Sequence, residues 1–200
     1  MAEPVTFYFD FSSPYSYFAA QKIDSTVEAC GRETRWKPFL LGVLFEITGA
    51  QPLNTVPMKG DYCVHDWQRL GEMTQTPWTM PDPFPIPTQA AARAFYWLDD
   101  QDPALAKAFA LAAFDTYFGQ GISIMAPGKV AEIAAGVGVD AGALSAALKD
   151  DTVKQRLKDE TKTAIDAGVF GAPFFMVDGE AFWGSDRMWM IKRWLKGQNA

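Results

Sequence analysis

The residues of this 200-residue chain best suited to chemistry are Ser12 and Ser13, which close an alternating apolar stretch and are followed at once by Pro14. Proline is favoured at the first position of a helix because its missing N–H would have been unpaired there anyway. A serine just before it is a good cap, its oxygen accepting a bond from an orphan N–H of the first turn. Ser13 is therefore predicted to end a strand and open a helix, with its hydroxyl proton still free to donate. The positive end of a helix is a place to hold an anion. The same arrangement is also that of a plain cap, and this stretch alone favours the cap.

Other chemistry-bearing residues are few. Cys30 and Cys63 match no disulfide or metal spacing, and the usual fate of such a cysteine is to be a small buried hydrophobe. His65 is the single histidine and has no second histidine with which to build a zinc site. Nothing in the sequence supports a Ser-His-Asp triad on it, so it reads as a helix-surface or satisfied residue. No metal site is expected.

The elements that must position Ser13 follow from periodicity. Val5, Phe7, Phe9 and Phe11 recur every second residue, interleaved with Thr6, Tyr8 and Asp10, which is the period of a strand. From Pro14 to about Cys30 the pattern suits one amphipathic helix, with Gly31 as its stop. Thr34–Phe39 reads as a second strand, and strand, helix, strand in this order predicts a parallel pair. A long, mostly helical stretch follows: Leu40–Thr48 is short and apolar, and Lys59–Thr74, Thr88–Asp99, Pro103–Phe118, Pro127–Gly136, Asp140–Lys149 and Thr152–Ala167 read as helices. It is interrupted by a proline-rich loop at Thr76–Pro87, whose Trp78, Met80, Phe84 and Ile86 need a surface to pack on. Strand chemistry returns at Ala172–Val177 and Glu180–Trp183, joined by Asp178-Gly179, a strong hairpin signal. A last helix is predicted over Arg187–Lys196, burying Met188, Ile191 and Leu195. This order predicts an α/β chain with a thioredoxin-like fold and a large all-helical insertion. Residues 1–40 and 168–200 would form the thioredoxin-like domain, and residues 41–167 the helical one.

A composition of 48% hydrophobic and 21% charged residues is ample for a real core. A net charge of −6 argues against nucleic acid or an anionic membrane as partner. The most apolar helical candidate, Pro103–Phe118, carries Lys107 and Asp115 and is too short to span a bilayer. With no signal-peptide pattern at the start, a cytoplasmic location is the expectation.

Four segments carry a resemblance. FYFDFSSPYSYFA at the start, WKPFLLGVLFEITG after the second strand, VPMKGDY in the insertion and GVFGAPFFMVDGEAFWGSDRM near the end resemble the 2-hydroxychromene-2-carboxylate isomerases. These group with the kappa-class glutathione transferases and the periplasmic disulfide-forming oxidoreductases. The resemblance covers essentially the whole chain in the right order. It implies the same thioredoxin-like fold with its helical insertion, glutathione as cofactor, a small aromatic substrate and a homodimer.

It also implies roles. Ser13 stands where disulfide-forming relatives have the first cysteine of Cys-x-x-Cys, and it would face the glutathione sulfur. No cysteine lies between Ser12 and Ser16, which excludes dithiol chemistry at this turn. A free thiol has a pKa of about 8.5, and lowering it by about two units takes roughly 2.7 kcal/mol. One hydrogen bond to a charged group contributes about 1.5–3 kcal/mol and a helix N-terminus roughly 0.3–1 kcal/mol, so Ser13 needs no histidine. Ala172-Pro173 matches the family's cis-proline turn, where the backbone of Ala172 would pair with the cysteinyl part of glutathione. Ser185 and Asp186 match the γ-glutamyl site, and Lys59 the glycyl site. Lys37 matches a basic residue assigned to the substrate's carboxylate or keto oxygen. Ala50 stands where relatives have an asparagine, with Gln51 and Asn54 nearby, and Pro87 also departs from the pattern. The activity implied is isomerisation of an aromatic or unsaturated hydroxy or keto acid through a transient glutathione adduct. The alternatives are a kappa-type transferase and a non-catalytic glutathione-binding or interaction protein.

Overall fold

Phenylalanine at every second position of a strand puts one face of it wholly in the core, and the rest of the chain is packed against that face. The structure, a computed structural model, describes residues 3–198. Strand β1 (Val5–Phe9) is central in a four-stranded sheet of order β2-β1-β3-β4, with β2 at Thr34–Pro38, β3 at Phe174–Val177 and β4 at Glu180–Trp183. β1 and β2 are parallel, pairing Val5 with Thr34 and Phe9 with Pro38, as the strand–helix–strand order predicts. β3 runs antiparallel to both β1 and β4. The β3–β4 hairpin turns through Asp178 and Gly179, both at positive φ (51° and 84°), the conformation an Asp-Gly pair favours in a two-residue loop.

The predicted Pro14–Cys30 helix is two helices, α1 (Pro14–Ala20) and α2 (Ile23–Glu28). Lys22 leaves the helical region at φ −131°. α2 is held in its own direction by Asp24, whose carboxylate accepts from Thr34 Oγ1 at 2.5 Å, Trp36 Nε1 at 2.8 Å and Lys107 Nζ at 2.9 Å. Between β2 and β3 lie α3 (Leu41–Thr48), α4 (Lys59–Thr74), α5 (Gln89–Asp99), α6 (Pro103–Phe114), α7 (Pro127–Gly136), α8 (Ala141–Ala147) and α9 (Asp151–Asp166). α10 (Met188–Leu195) closes the described chain and buries Ile191 fully, with Met188 and Leu195 half-buried. The predicted helix to Phe118 stops at Phe114, and a π-helical turn over Asp115–Gly119 carries Tyr117 and Phe118 into the interior. Trp78 stacks on Phe118 at 5.4 Å and Phe84 meets Trp67 at 5.5 Å, so the proline-rich loop is packed, although Met80 in it faces solvent.

Both faces of the sheet are covered. On one, Phe7, Phe9, Phe11 and Trp36 join Phe95 of α5 and Phe109 and Phe114 of α6 in one aromatic core. On the other, Tyr8, Phe39 and Phe174 pack on Leu44 of α3 and Ala164 of α9. Phe9 is central to the first cluster, meeting Phe11, Trp36, Phe95 and Phe114 at centroid distances of 5.2–5.7 Å. Phe9→Ala is therefore expected to cost about 3–5 kcal/mol of stability, read as a shift of the urea unfolding midpoint with an unchanged slope.

Candidate active site

Where β1 leaves the sheet the chain turns through Asp10–Ser13 into α1, and this turn forms the polar end of a cavity of about 810 Å³. The other walls come from α3 and the loop after it, from the end of the proline-rich loop, and from Phe170–Ala172 with Trp183. The volume is within the range of small-molecule sites. Trp183 closes tightly over the backbone of Gly171: a Cβ at that glycine would fall 2.5 Å from the indole Nε1.

Ser13 lines the cavity and is 5% exposed. As the cap of α1 it is extended (φ −101°, ψ 112°), and its Oγ accepts from Ser16 N–H at 3.2 Å. The same hydroxyl donates to the carbonyl of Ala172 at 3.2 Å, across the cavity mouth. The Ala172–Pro173 peptide bond is cis, as the motif predicts, and the Pro173 carbonyl accepts from Gly184 N–H at 3.0 Å. Ser13, Ala172 and Pro173 are thus brought together. The turn Ser185–Arg187 packs against α1 just beyond, with Ser185 half-buried and Asp186 exposed and paired with Arg187 at 2.7 Å.

Of the expected residues, Lys37, Lys59, Pro173, Ser185 and Asp186 are outside the lining. Lys37 does not line the cavity. Its place opposite Tyr8 in the β1–β2 register turns it to the α9 side of the sheet, where Nζ pairs with Glu160 at 2.8 Å. The resemblance assigns Lys37 to the substrate's carboxylate or keto oxygen; in the structure its side chain is engaged by Glu160 instead. Lys59 opens α4, is exposed, and is also outside the lining. Ala50 and Gln51 are both in the wall. His65 lies exposed on α4, and among the described residues no group of three His, Cys, Asp or Glu could hold a metal ion.

One residue escaped sequence reasoning. Asp10 looked like the polar member of an alternating strand, yet it is 4% exposed and lines the cavity. Its Oδ1 accepts from Ser12 N–H at 2.7 Å and from the Thr88 hydroxyl at 3.0 Å, and its Oδ2 from Leu41 N–H at 2.8 Å. Leu41 is the first residue of α3 and Thr88 precedes α5. Ser12 adds a further tie, its Oγ accepting from Ile86 N–H at 3.1 Å. Burial pushes the Asp10 carboxyl above the usual carboxylate range, opposed by the bonds from Ser12, Leu41 and Thr88. Tyr15, also in the wall, donates its hydroxyl to Asp66 at 2.9 Å; burial and then Asp66 push its pKa well above that of an ordinary tyrosine, so it stays protonated.

A model of the DSBA-like thioredoxin domain family matches residues 4–196. The chain is 29% identical over 190 residues to a 2-hydroxychromene-2-carboxylate isomerase of Pseudomonas putida, covering 94% of this chain and 92% of that one. It is 27% identical to a glutathione S-transferase kappa 1 of Caenorhabditis elegans, covering 94% and 88% of the two. Among solved structures, a 2-hydroxychromene-2-carboxylate isomerase superposes with a TM-score of 0.87 at 27% identity, over 98% of this chain and 95% of that one.

The raised Asp10 pKa fixes a sign. An acid whose folded pKa lies above its unfolded value adds stability fully below the unfolded pKa, and this is lost as pH rises through the folded pKa. The urea midpoint of the native protein, taken relative to that of Asp10→Asn, is expected to fall as pH is raised from below about 4 to above neutral. A difference that grows over that range would show that the three donors outweigh burial.

Proposed function

This chain belongs to the DSBA-like thioredoxin domain family, and we propose that within it the protein is a glutathione-dependent isomerase of the 2-hydroxychromene-2-carboxylate isomerase type. The observation that carries the reading is Ser13: a hydroxyl, with no thiol beside it, facing a large apolar-walled cavity next to a cis-proline turn. The turn carries no thiol of its own, and similarity to isomerases over almost the whole chain supports a bound glutathione as the nucleophile. A cytoplasmic location and a homodimeric working form belong to the same proposal, supported by the resemblance alone. Among the described residues no helix is long and apolar enough to cross a membrane.

The residues present suit the sulfur end of such a cofactor. The Ser13 hydroxyl can keep accepting from Ser16 N–H while it turns its proton from the Ala172 carbonyl to a sulfur anion, since it has two lone pairs and one proton. Ala172 would offer its backbone to the cysteinyl unit, and Ser185 and Asp186 the γ-glutamyl end, with Lys59 reaching the glycyl carboxylate from outside the cavity wall. Held there by Ser13 and Ala172, glutathione would supply a thiolate nucleophile able to add to, and leave from, an electrophilic carbon beside a double bond. The chain's own part is to hold that sulfur ionised, to grip an aromatic ring between apolar walls, and to keep water out.

Ser13→Ala tests the assignment. Losing one hydrogen bond to a charged group is expected to raise the pKa of bound glutathione by about one to two units, followed by its thiolate ultraviolet absorbance. At neutral pH kcat is expected to fall at least about tenfold, with a further loss of about 1 kcal/mol of stability from the missing cap. Unchanged thiolate absorbance together with unchanged kcat would sink the reading.

A further inference from the structure

We infer that Trp183, seated on Gly171, is the residue by which this site selects an aromatic electrophile: its indole is the platform on which the ring lies when the reacting carbon meets sulfur. The assignment rests on the glutathione reading for the place of the sulfur. The other tryptophan in the cavity wall, Trp67, is almost wholly buried, with Tyr15, Phe84 and Trp78 around it at centroid distances of 5.5–6.1 Å. Trp183 differs. It lines the same cavity yet is 54% exposed, and its aromatic neighbour among the described residues is Phe170, edge-on at 5.1 Å and itself 51% exposed. A large apolar surface left open at a cavity wall marks a binding face, and a flat indole suits a flat partner.

The fold fixes that indole beside the sulfur position. Trp183 stands opposite Phe174 in the β3–β4 register, and Phe174 follows the cis Ala172–Pro173 bond. Gly184, the next residue, donates its N–H to the Pro173 carbonyl at 3.0 Å. Ala172, which accepts from the Ser13 hydroxyl, belongs to the same turn. Phe170 meets Phe174 edge-on at 5.3 Å as well as Trp183, so a line of aromatic contacts runs from the buried start of β3 to the cavity. Gly171 sets how close the indole can come. Its backbone is outside the left-handed region, so no conformational need calls for glycine there. A Cβ would instead meet Trp183, 2.5 Å from Nε1 and 3.1 Å from Cε2. The glycine makes room for the tryptophan, and a side chain in its place would displace the platform.

The test is calorimetric titration of the intact protein with S-benzylglutathione and S-methylglutathione, which differ by a phenyl ring. The native protein is expected to bind the benzyl conjugate at least about tenfold more tightly. Trp183→Leu, a change on an edge strand that keeps an apolar side chain, is expected to cut that ratio at least about threefold, and Trp183→Phe to retain most of it. Gly171→Ala is expected to cut it alike and to add nothing on top of Trp183→Leu, since both act on one contact. A native ratio near one, or a ratio that Trp183→Leu leaves unchanged, overturns the inference while the glutathione reading stands. If that variant then sediments in a different oligomeric state, the exposed aromatic pair is a contact between copies of the chain. Binding of neither conjugate at millimolar concentration removes both readings.

Discussion

A carboxyl group that is 4% exposed is costly to keep inside a protein unless its oxygens find donors, and in this chain meeting that condition joins three separate segments. Asp10 takes the Ser12 N–H of its own turn, the Leu41 N–H that opens α3 and the Thr88 hydroxyl that precedes α5. The turn bearing Ser13, the helix forming one wall of the cavity and the end of the proline-rich loop forming another are thereby fixed to one side chain. Such a network is worth most when complete, because a half-satisfied one leaves a buried polar group orphaned. The position of Ser13 is thus inherited from a residue three places earlier that is itself committed to donors on its own side.

Beneath that polar knot lies an aromatic support. Phe7 and Phe9 stack at 5.1 Å, Trp36 meets both edge-on, and Phe114 reaches across from α6 to Phe9 and Phe11. The core therefore runs without a break from the sheet into α5 and α6. The helical stretch between the second and third strands is packed into the same interior that carries the turn, so the two halves of the cavity are held in register by close packing rather than by a linker.

The parts of the fold that were legible in the sequence are those written in local patterns. Alternating phenylalanines gave β1, Asp178-Gly179 gave the hairpin, and strand–helix–strand order gave the parallel pair, because period and turn chemistry are properties of neighbouring residues. What escaped depends on partners far along the chain. The break at Lys22 accompanies the ties that Asp24 makes to Thr34, Trp36 and Lys107. Lys37 reads as a free cation until Glu160, 123 residues later, is brought beside it. Asp10 is indistinguishable from the polar half of a two-sided strand until Leu41 and Thr88 arrive. Within the candidate site, Ser13 and the Ala172-Pro173 turn could be read from motifs, whereas the place of Asp10 in the cavity wall needed the fold.

The short α1 changes how the site has to generate charge. With seven residues in that helix, the N-terminal field contributes roughly 0.3–1 kcal/mol, so ionising a thiol rests chiefly on the Ser13 hydroxyl. That hydroxyl already donates to the Ala172 carbonyl. Exchanging a neutral bond, net about 0.5–1.5 kcal/mol, for a charged one of about 1.5–3 kcal/mol gains only about 1–1.5 kcal/mol. A two-unit drop in thiol pKa needs roughly 2.7 kcal/mol, so the exchange alone falls short unless the abandoned carbonyl finds another donor. A peptide laid along Ala172 brings backbone N–H groups of its own, in the manner of an added strand. Pairing with that carbonyl would release the Ser13 proton for sulfur at no loss to the protein. On the proposed reading, docking of the tripeptide backbone and ionisation of its thiol are therefore one coupled event, and a small thiol without a peptide backbone would be bound mostly in its unreactive, protonated form.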